Sequence, residues 1–153
     1  MTEPPRMAQS LDQMLRAWHS ALMPDVLTVT VGIPARTLSP NSRPHWSVKA
    51  KANKRARTES WAATQVAMYE ADEKGGWGEA TAQVHWYARD NRRRDKDNCL
   101  ASLKPTFDGL VDAGLLKDDS ALTHLPLVLL TDPRNPRVEL ILKRWDKGQA
   151  DGA

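Results

Sequence analysis

Residues 80–98 read Ala80-Thr81-Ala82-Gln83-Val84-His85-Trp86-Tyr87, then Ala88-Arg89-Asp90-Asn91-Arg92-Arg93-Arg94-Asp95-Lys96-Asp97-Asn98. The first eight residues alternate in the manner of a strand with one buried face. Leu100, Leu103, Phe107, Leu110 and Val111 then recur at helical spacing, and Gly114 stands where a helix commonly stops. The decisive stretch is therefore a strand running into a helix through a polar, charged junction. Pro105 removes a helical hydrogen bond and clashes with the preceding turn, so the helix kinks there or restarts with Pro105 in its first turn.

Upstream, Val26-Leu27-Thr28-Val29-Thr30-Val31 is rich in branched residues and bounded by Gly32 and Pro34, which predicts another strand. Leu38-Ser39-Pro40-Asn41-Ser42-Arg43-Pro44 has loop composition. A helix is predicted over about 58–73, capped by Thr58, with Ala62, Val66 and Tyr69 on one face and Gly75-Gly76 beyond its end. Downstream, Leu125 to Leu130 and Val138 to Leu142 read as strands, and the turn Asp132-Pro133-Arg134-Asn135-Pro136 between them suggests a hairpin. Strands and helices mix without strict βαβ alternation. The expected fold is α+β, with a small mixed sheet of about four strands packed against two main helices. Met7, Leu11, Met14, Leu15, Trp18 and Leu22 predict an appended helix over 1–24, ahead of a domain at 25–145 and a frayed tail at 146–153.

The chain has 153 residues, within the range of one domain, with 22 Lys+Arg against 19 Asp+Glu for a net charge of +3. Charged residues make up 27% and apolar residues 41%, which excludes collagen-like and wholly disordered chains. No stretch of about 20 apolar residues is present to cross a bilayer. The start Met1-Thr2-Glu3-Pro4-Pro5 lacks the features of a secretory signal, so the expected location is the cytoplasm. Cys99 is the one cysteine, which rules out an internal disulfide framework and a cysteine-based zinc cluster.

Charge is distributed unevenly. Between Val26 and Thr58 there is no Asp or Glu, whereas Arg36, Arg43, Lys49, Lys51, Lys54, Arg55 and Arg57 all fall there. Clustered cations bind nucleic acid by displacing its condensed counterions. A solvated loop and helix start would show the same composition. His45 and Trp46 lie inside this run and suit either stacking on a base or anchoring the loop.

Between 90 and 119 all seven acids are Asp and none is Glu. In an extended segment, side chains at alternate positions share a face, which would aim Asp95 and Asp97 at one point. Carboxylates held that close repel unless a cation sits between them. Hard oxygen ligands of this kind suit Mg²⁺, which takes one or two carboxylates and keeps water and phosphate in the rest of its shell. Arg92, Arg93 and Arg94 would then face the phosphates of a polyanionic substrate. The alternative is that Asp95 or Asp97 caps the following helix and the arginines pair on the surface. An EF-hand fails, because Leu100 and Thr106 stand where its loop needs Gly and Glu. Asp118 and Asp119 offer a third ligand or ordinary turn chemistry. Lys104 would stabilise charge on a phosphate, or pair with Asp108 four residues on. His124 is a ligand candidate or a plain surface or core histidine.

Taken in order, Arg92-Arg93-Arg94-Asp95-Lys96-Asp97-Asn98, then Leu103-Lys104-Pro105 and Phe107-Asp108-Gly109-Leu110, then Ala113-Gly114-Leu115-Leu116-Lys117-Asp118-Asp119-Ser120 resembles the RusA family of Holliday-junction resolvases of bacteria and their phages. The likeness is strong over about 84–122 and looser over 26–60, where Ser39-Pro40-Asn41-Ser42 precedes the basic run. It departs from the family pattern in extra residues between Asn98 and Lys104, and in Leu115-Leu116 where aromatic character is usual before the Asp pair.

The resemblance implies a homodimeric, Mg²⁺-dependent endonuclease, with Mn²⁺ as a substitute, that cuts four-way junction DNA symmetrically in recombination and repair. It places the metal-binding, catalytic aspartates on Asp95, Asp97 and Asp119 and the functional lysine on Lys104. DNA contacts are expected from Arg43, Lys49, Lys51, Lys54, Arg55, Arg92, Arg93 and Arg94. Two other readings of the residues stay open: a D-x-D glycosyltransferase, for which the chain is short, and a non-catalytic basic DNA-binding module.

Overall fold

A computed structural model of the chain describes residues 25–145. The helix expected over 1–24 and the tail at 146–153 lie outside the described residues. The fold is α+β, as the sequence predicts, with five strands where about four were expected. Strand β1 (Val26–Val31) lies at one edge, antiparallel to β5 (Arg137–Arg144), which is antiparallel in turn to β2 (Ala80–Ala88). The short strands β3 (Leu122–His124) and β4 (Val128–Thr131) run parallel to β2 along successive parts of its other edge. They share one edge position.

Period-two alternation sets the layers. Ala80, Ala82, Val84, Trp86 and Ala88 of β2 are buried with Val138, Leu140 and Leu142 of β5. Against this face pack Met68, Leu103, Phe107 and Leu110 from the helices. The opposite face carries half-buried Thr81, Gln83, His85 and Tyr87, with Arg137 stacked 3.9 Å above the Tyr87 ring.

The expected hairpin does not form. Strands β4 and β5 both pair with β2, on opposite edges, so β2 separates them. The turn at 132–136 therefore crosses the end of β2, where the Asp132 N–H donates to the Ala88 carbonyl at 2.8 Å. The Asp132 carboxylate accepts from the Arg134 and Asn135 N–H groups and from Arg137. Turn composition is equally suited to a hairpin and to this crossing.

Helix α1 spans Trp46–Glu70 and begins well before the predicted position 58. Its first half is built of Lys, Arg and Ala, which are strong helix formers without an apolar stripe. His45 Nδ1 accepts from the Ser47 N–H as the cap, a role usually held by Ser, Thr, Asp or Asn. The expected apolar face is also inverted. Ala62, Val66 and Tyr69 are exposed, and Ser60, Thr64 and Met68 are buried.

The helix after β2 is divided into α2 (Lys96–Ser102) and α3 (Lys104–Asp112) at Leu103, with Pro105 in the first turn of α3. Restart, not kink, is the outcome of the two that Pro105 allows. Gly114 follows α3 at φ +84°, in the left-handed region that favours glycine.

Helix α1 crosses α3 closely. The Ser60 hydroxyl donates to the Thr106 carbonyl at 2.5 Å, Gln65 donates to the Ala113 carbonyl at 3.1 Å, and Arg57 forks onto Asp112. That pairing holds the Asp112 carboxyl below its usual range and the Arg57 guanidinium above.

Candidate active site

Helix α2 starts at Asp95, whose Oδ1 accepts from the N–H groups of Asp97 at 2.9 Å and Asn98 at 3.2 Å. Asp95 is thus the N-cap, in extended conformation, and Asp97 is already helical. Strand alternation does not apply across that boundary, so the extended geometry expected to aim both carboxylates at one point is absent. Asp97 faces a cleft of about 390 Å³, whereas Asp95 lines a neighbouring groove.

Asp119 reaches the same cleft as Asp97 from a separate segment. Leu115 and Leu116, at the positions where the family usually has aromatic character, are buried in the core. Trp77 fixes this segment, its N–H donating to the Leu115 carbonyl at 2.8 Å and its carbonyl accepting from the Lys117 N–H at 3.0 Å. The chain then surfaces at Asp118 and Asp119. Asp118 accepts from the N–H and hydroxyl of Ser120 and so caps the short 3-10 turn that follows. Asp119 has no side-chain partner among the described residues, and neither does Asp97. The pair of adjacent acids is therefore divided between one that shapes the turn and one that faces the cleft.

Lys104, at the start of α3, lines the cleft too, its Nζ 3.9 Å from Asp108 Oδ2 one helical turn on. Asp108 and His124 complete the walls. Sequence reasoning treated these as a pairing partner and a lone histidine. The parallel pairing of β3 with β2 is what carries His124 to the cleft, and short strands leave little signal of their pairing. The His124 ring packs edge-on against Phe107 at 4.6 Å, and burial pushes its pKa down, favouring the neutral imidazole.

The structure thus brings together Asp97, Asp119 and Lys104, and leaves Asp95 beside them as a cap. Among the described residues no group of three or more His, Cys, Asp and Glu is placed to hold a metal. Two carboxylates in one cleft nevertheless match the donor number and hardness that Mg²⁺ commonly takes from protein. Asp95 supplies a direct test of its position. Asp95→Asn keeps a capping oxygen and should leave stability within about 0.5 kcal/mol, whereas Asp95→Ala should lose about 1 kcal/mol, read by thermal unfolding. If Asp95→Asn also keeps cleavage, capping is the whole of its role.

The arginine run is also divided. Arg92 forks onto Asp90 through Nε at 3.1 Å and a terminal nitrogen at 3.0 Å, and Arg94 holds the other Asp90 oxygen at 2.8 Å. The two guanidiniums hold the Asp90 carboxyl far below the usual carboxylate range. Arg92 and Arg94, both expected to contact DNA, also brace the loop through Asp90. Arg93 has no such partner among the described residues. On α1 and the loop before it, Arg43, Lys49, Lys51, Lys54 and Arg55 are all exposed, and Trp46 at the helix start is 77% exposed.

No protein-family model matches the chain. It is 32% identical over 101 residues to an uncharacterized protein of Xylella fastidiosa (strain Temecula1 / ATCC 700964), covering 66% of this chain and 65% of that protein. The chain therefore spans just under two thirds of that relative's length. Among the described residues no helix is long and apolar enough to cross a membrane.

Proposed function

We propose that this chain is a divalent-metal-dependent DNA endonuclease. Within that class, the ordered motifs over 84–122 favour a Holliday-junction resolvase of the RusA type, acting as a homodimer on four-way junctions in a bacterial cytoplasm. The observation that carries the reading is the convergence of Asp97 and Asp119 on one cleft with Lys104, both carboxylates without partners among the described residues. Exposed carboxylates without protein partners leave their oxygens available to a cation.

In this reading Asp97 and Asp119 hold Mg²⁺, and Asp95 stands close by as the cap that fixes the turn. The ion supplies an acidified water and neutralises charge on phosphorus oxygens. Lys104 lies beside the scissile phosphate and stabilises the charge that grows there. Asp108 orients Lys104 across one helical turn. The exposed cations of α1 hold the DNA backbone electrostatically, and a two-fold axis would set two clefts on opposite strands of a symmetric junction.

A labelled synthetic four-way junction, incubated with and without Mg²⁺ beside a linear duplex, tests the proposal. Paired symmetric nicks on the junction alone, dependent on metal, are the expected result. Binding that weakens linearly with salt on logarithmic axes, with no cutting at any metal concentration, would instead mark a non-catalytic DNA-binding module.

A further inference from the structure

A groove of about 540 Å³ lies on the other side of the first turn of α2 from the acid cleft. Asp95 and Asn98 face this groove, and Asp97 faces the cleft. Its floor is apolar or neutral. Trp86, Ala88, Cys99 and Ser102 are buried there, and burial pushes the Cys99 thiol pKa up, so that it stays uncharged. The rim is cationic. Arg36, Arg89 and Arg93 line it with side chains that have no ion-pair or hydrogen-bond partner among the described residues. With Arg92 and Arg94 the lining holds five arginines against two aspartates, Asp90 and Asp95. Asp90 is already neutralised by its two guanidiniums.

We propose that this groove seats an unpaired nucleotide of the DNA strand whose phosphate lies at the acid cleft, an assignment that rests on the nuclease reading above. A nucleotide joins a flat, largely apolar base to an anionic phosphate, and the groove pairs an apolar floor with free guanidiniums. Sites for single-stranded nucleic acid combine these two features. The volume lies inside the range of about 300–1,000 Å³ usual for small-ligand sites. A base in linear duplex must be unstacked and unpaired to enter, which costs a few kcal/mol, and a branch point lowers that cost. The groove would therefore favour branched over linear DNA without reading its sequence.

The full chain is tested by fluorescence anisotropy with labelled hexathymidylate and with a linear duplex of matched length. The double variant Arg36→Ala/Arg93→Ala changes two exposed side chains without partners, so the fold should survive. It should bind hexathymidylate about tenfold more weakly and lose less affinity for duplex. As a second measurement, hexathymidylate should raise the Tm of the wild-type protein, and matched duplex should raise it less. Equal losses on both DNAs, or no rise in Tm with hexathymidylate, would overturn the assignment. If wild-type protein leaves a junction uncut with Mg²⁺ while hexathymidylate still raises its Tm and the double variant loses that rise, the nuclease reading falls and the nucleotide seat stands.

Discussion

Asp97→Asn and Asp119→Asn should each lower junction cleavage by about 10³-fold, or about 4 kcal/mol of transition-state stabilisation. Both substitutions keep the shape of the side chain and remove its charge. Because each carboxylate is exposed and has no partner among the described residues, neither is needed for folding. Stability should move by no more than about 0.5 kcal/mol, and junction binding should hold or tighten slightly, since an anion is lost from a surface proposed to meet phosphate. Single-turnover cleavage of a labelled junction, with anisotropy for binding, separates the two effects. Asp118→Asn is the control. Asp118 caps the 3-10 turn, and Asn is itself a good cap, so cleavage should stay within a few fold of wild type. Near wild-type cutting by Asp119→Asn would remove the convergence of acids as an explanation, and a dead Asp118→Asn with an active Asp119→Asn would exchange their roles.

The parts of this arrangement that were legible in the sequence are those with a strong local signal. Strands β1 and β2 follow from branched residues and alternation, and the end of α3 from Gly114. Long-range pairing left no such mark. Nothing local to Asp132–Pro136 says that β2 lies between its two flanking strands. Helix α1 hid because its buried face is made of Ser60, Thr64 and Met68 beside half-buried alanines, while Trp61, Val66 and Tyr69 are exposed. In the cleft, the resemblance to the RusA pattern grouped Asp97 with Asp119 and Lys104, which local signals did not. Of the two readings offered for Asp95, the structure bears out the cap, since a residue one step before a helix obeys neither strand nor helix periodicity. Asp108 and His124 needed the fold itself, which lays α3 and β3 against the same opening.

The second large effect is on stability, at the crossing of α1 and α3. A Cβ added at Gly109 would lie 2.6 Å from the Arg57 carbonyl oxygen, 2.6 Å from Ser60 Cβ and 2.8 Å from Ser60 Oγ. One of those atoms is backbone, so a rotamer change cannot relieve the overlap and the helices must separate. Alanine gains about 1 kcal/mol in helix propensity over glycine, but overpacking of a tight contact costs about 1–3 kcal/mol and occasionally more. Separation also lengthens the Ser60–Thr106 hydrogen bond and leaves a buried hydroxyl poorly satisfied, a further penalty of about 1 kcal/mol. The sum favours destabilisation by about 1–3 kcal/mol for Gly109→Ala, a fall in Tm of roughly 5–10 °C, and more for Gly109→Val. Ser60→Gly removes two of the three close contacts, so in a double-mutant cycle it should rescue part of the Gly109→Ala loss although it destabilises on its own. Because α1 carries the exposed cations and α3 carries Lys104 and Asp108, spreading the pair also shifts the proposed DNA-holding surface against the cleft. Gly109→Ala should therefore lower cleavage even at temperatures where it is fully folded. An unchanged or raised Tm would show that the crossing has slack and that helix propensity outweighs contact, and the rigid link between basic helix and acid cleft would go with it.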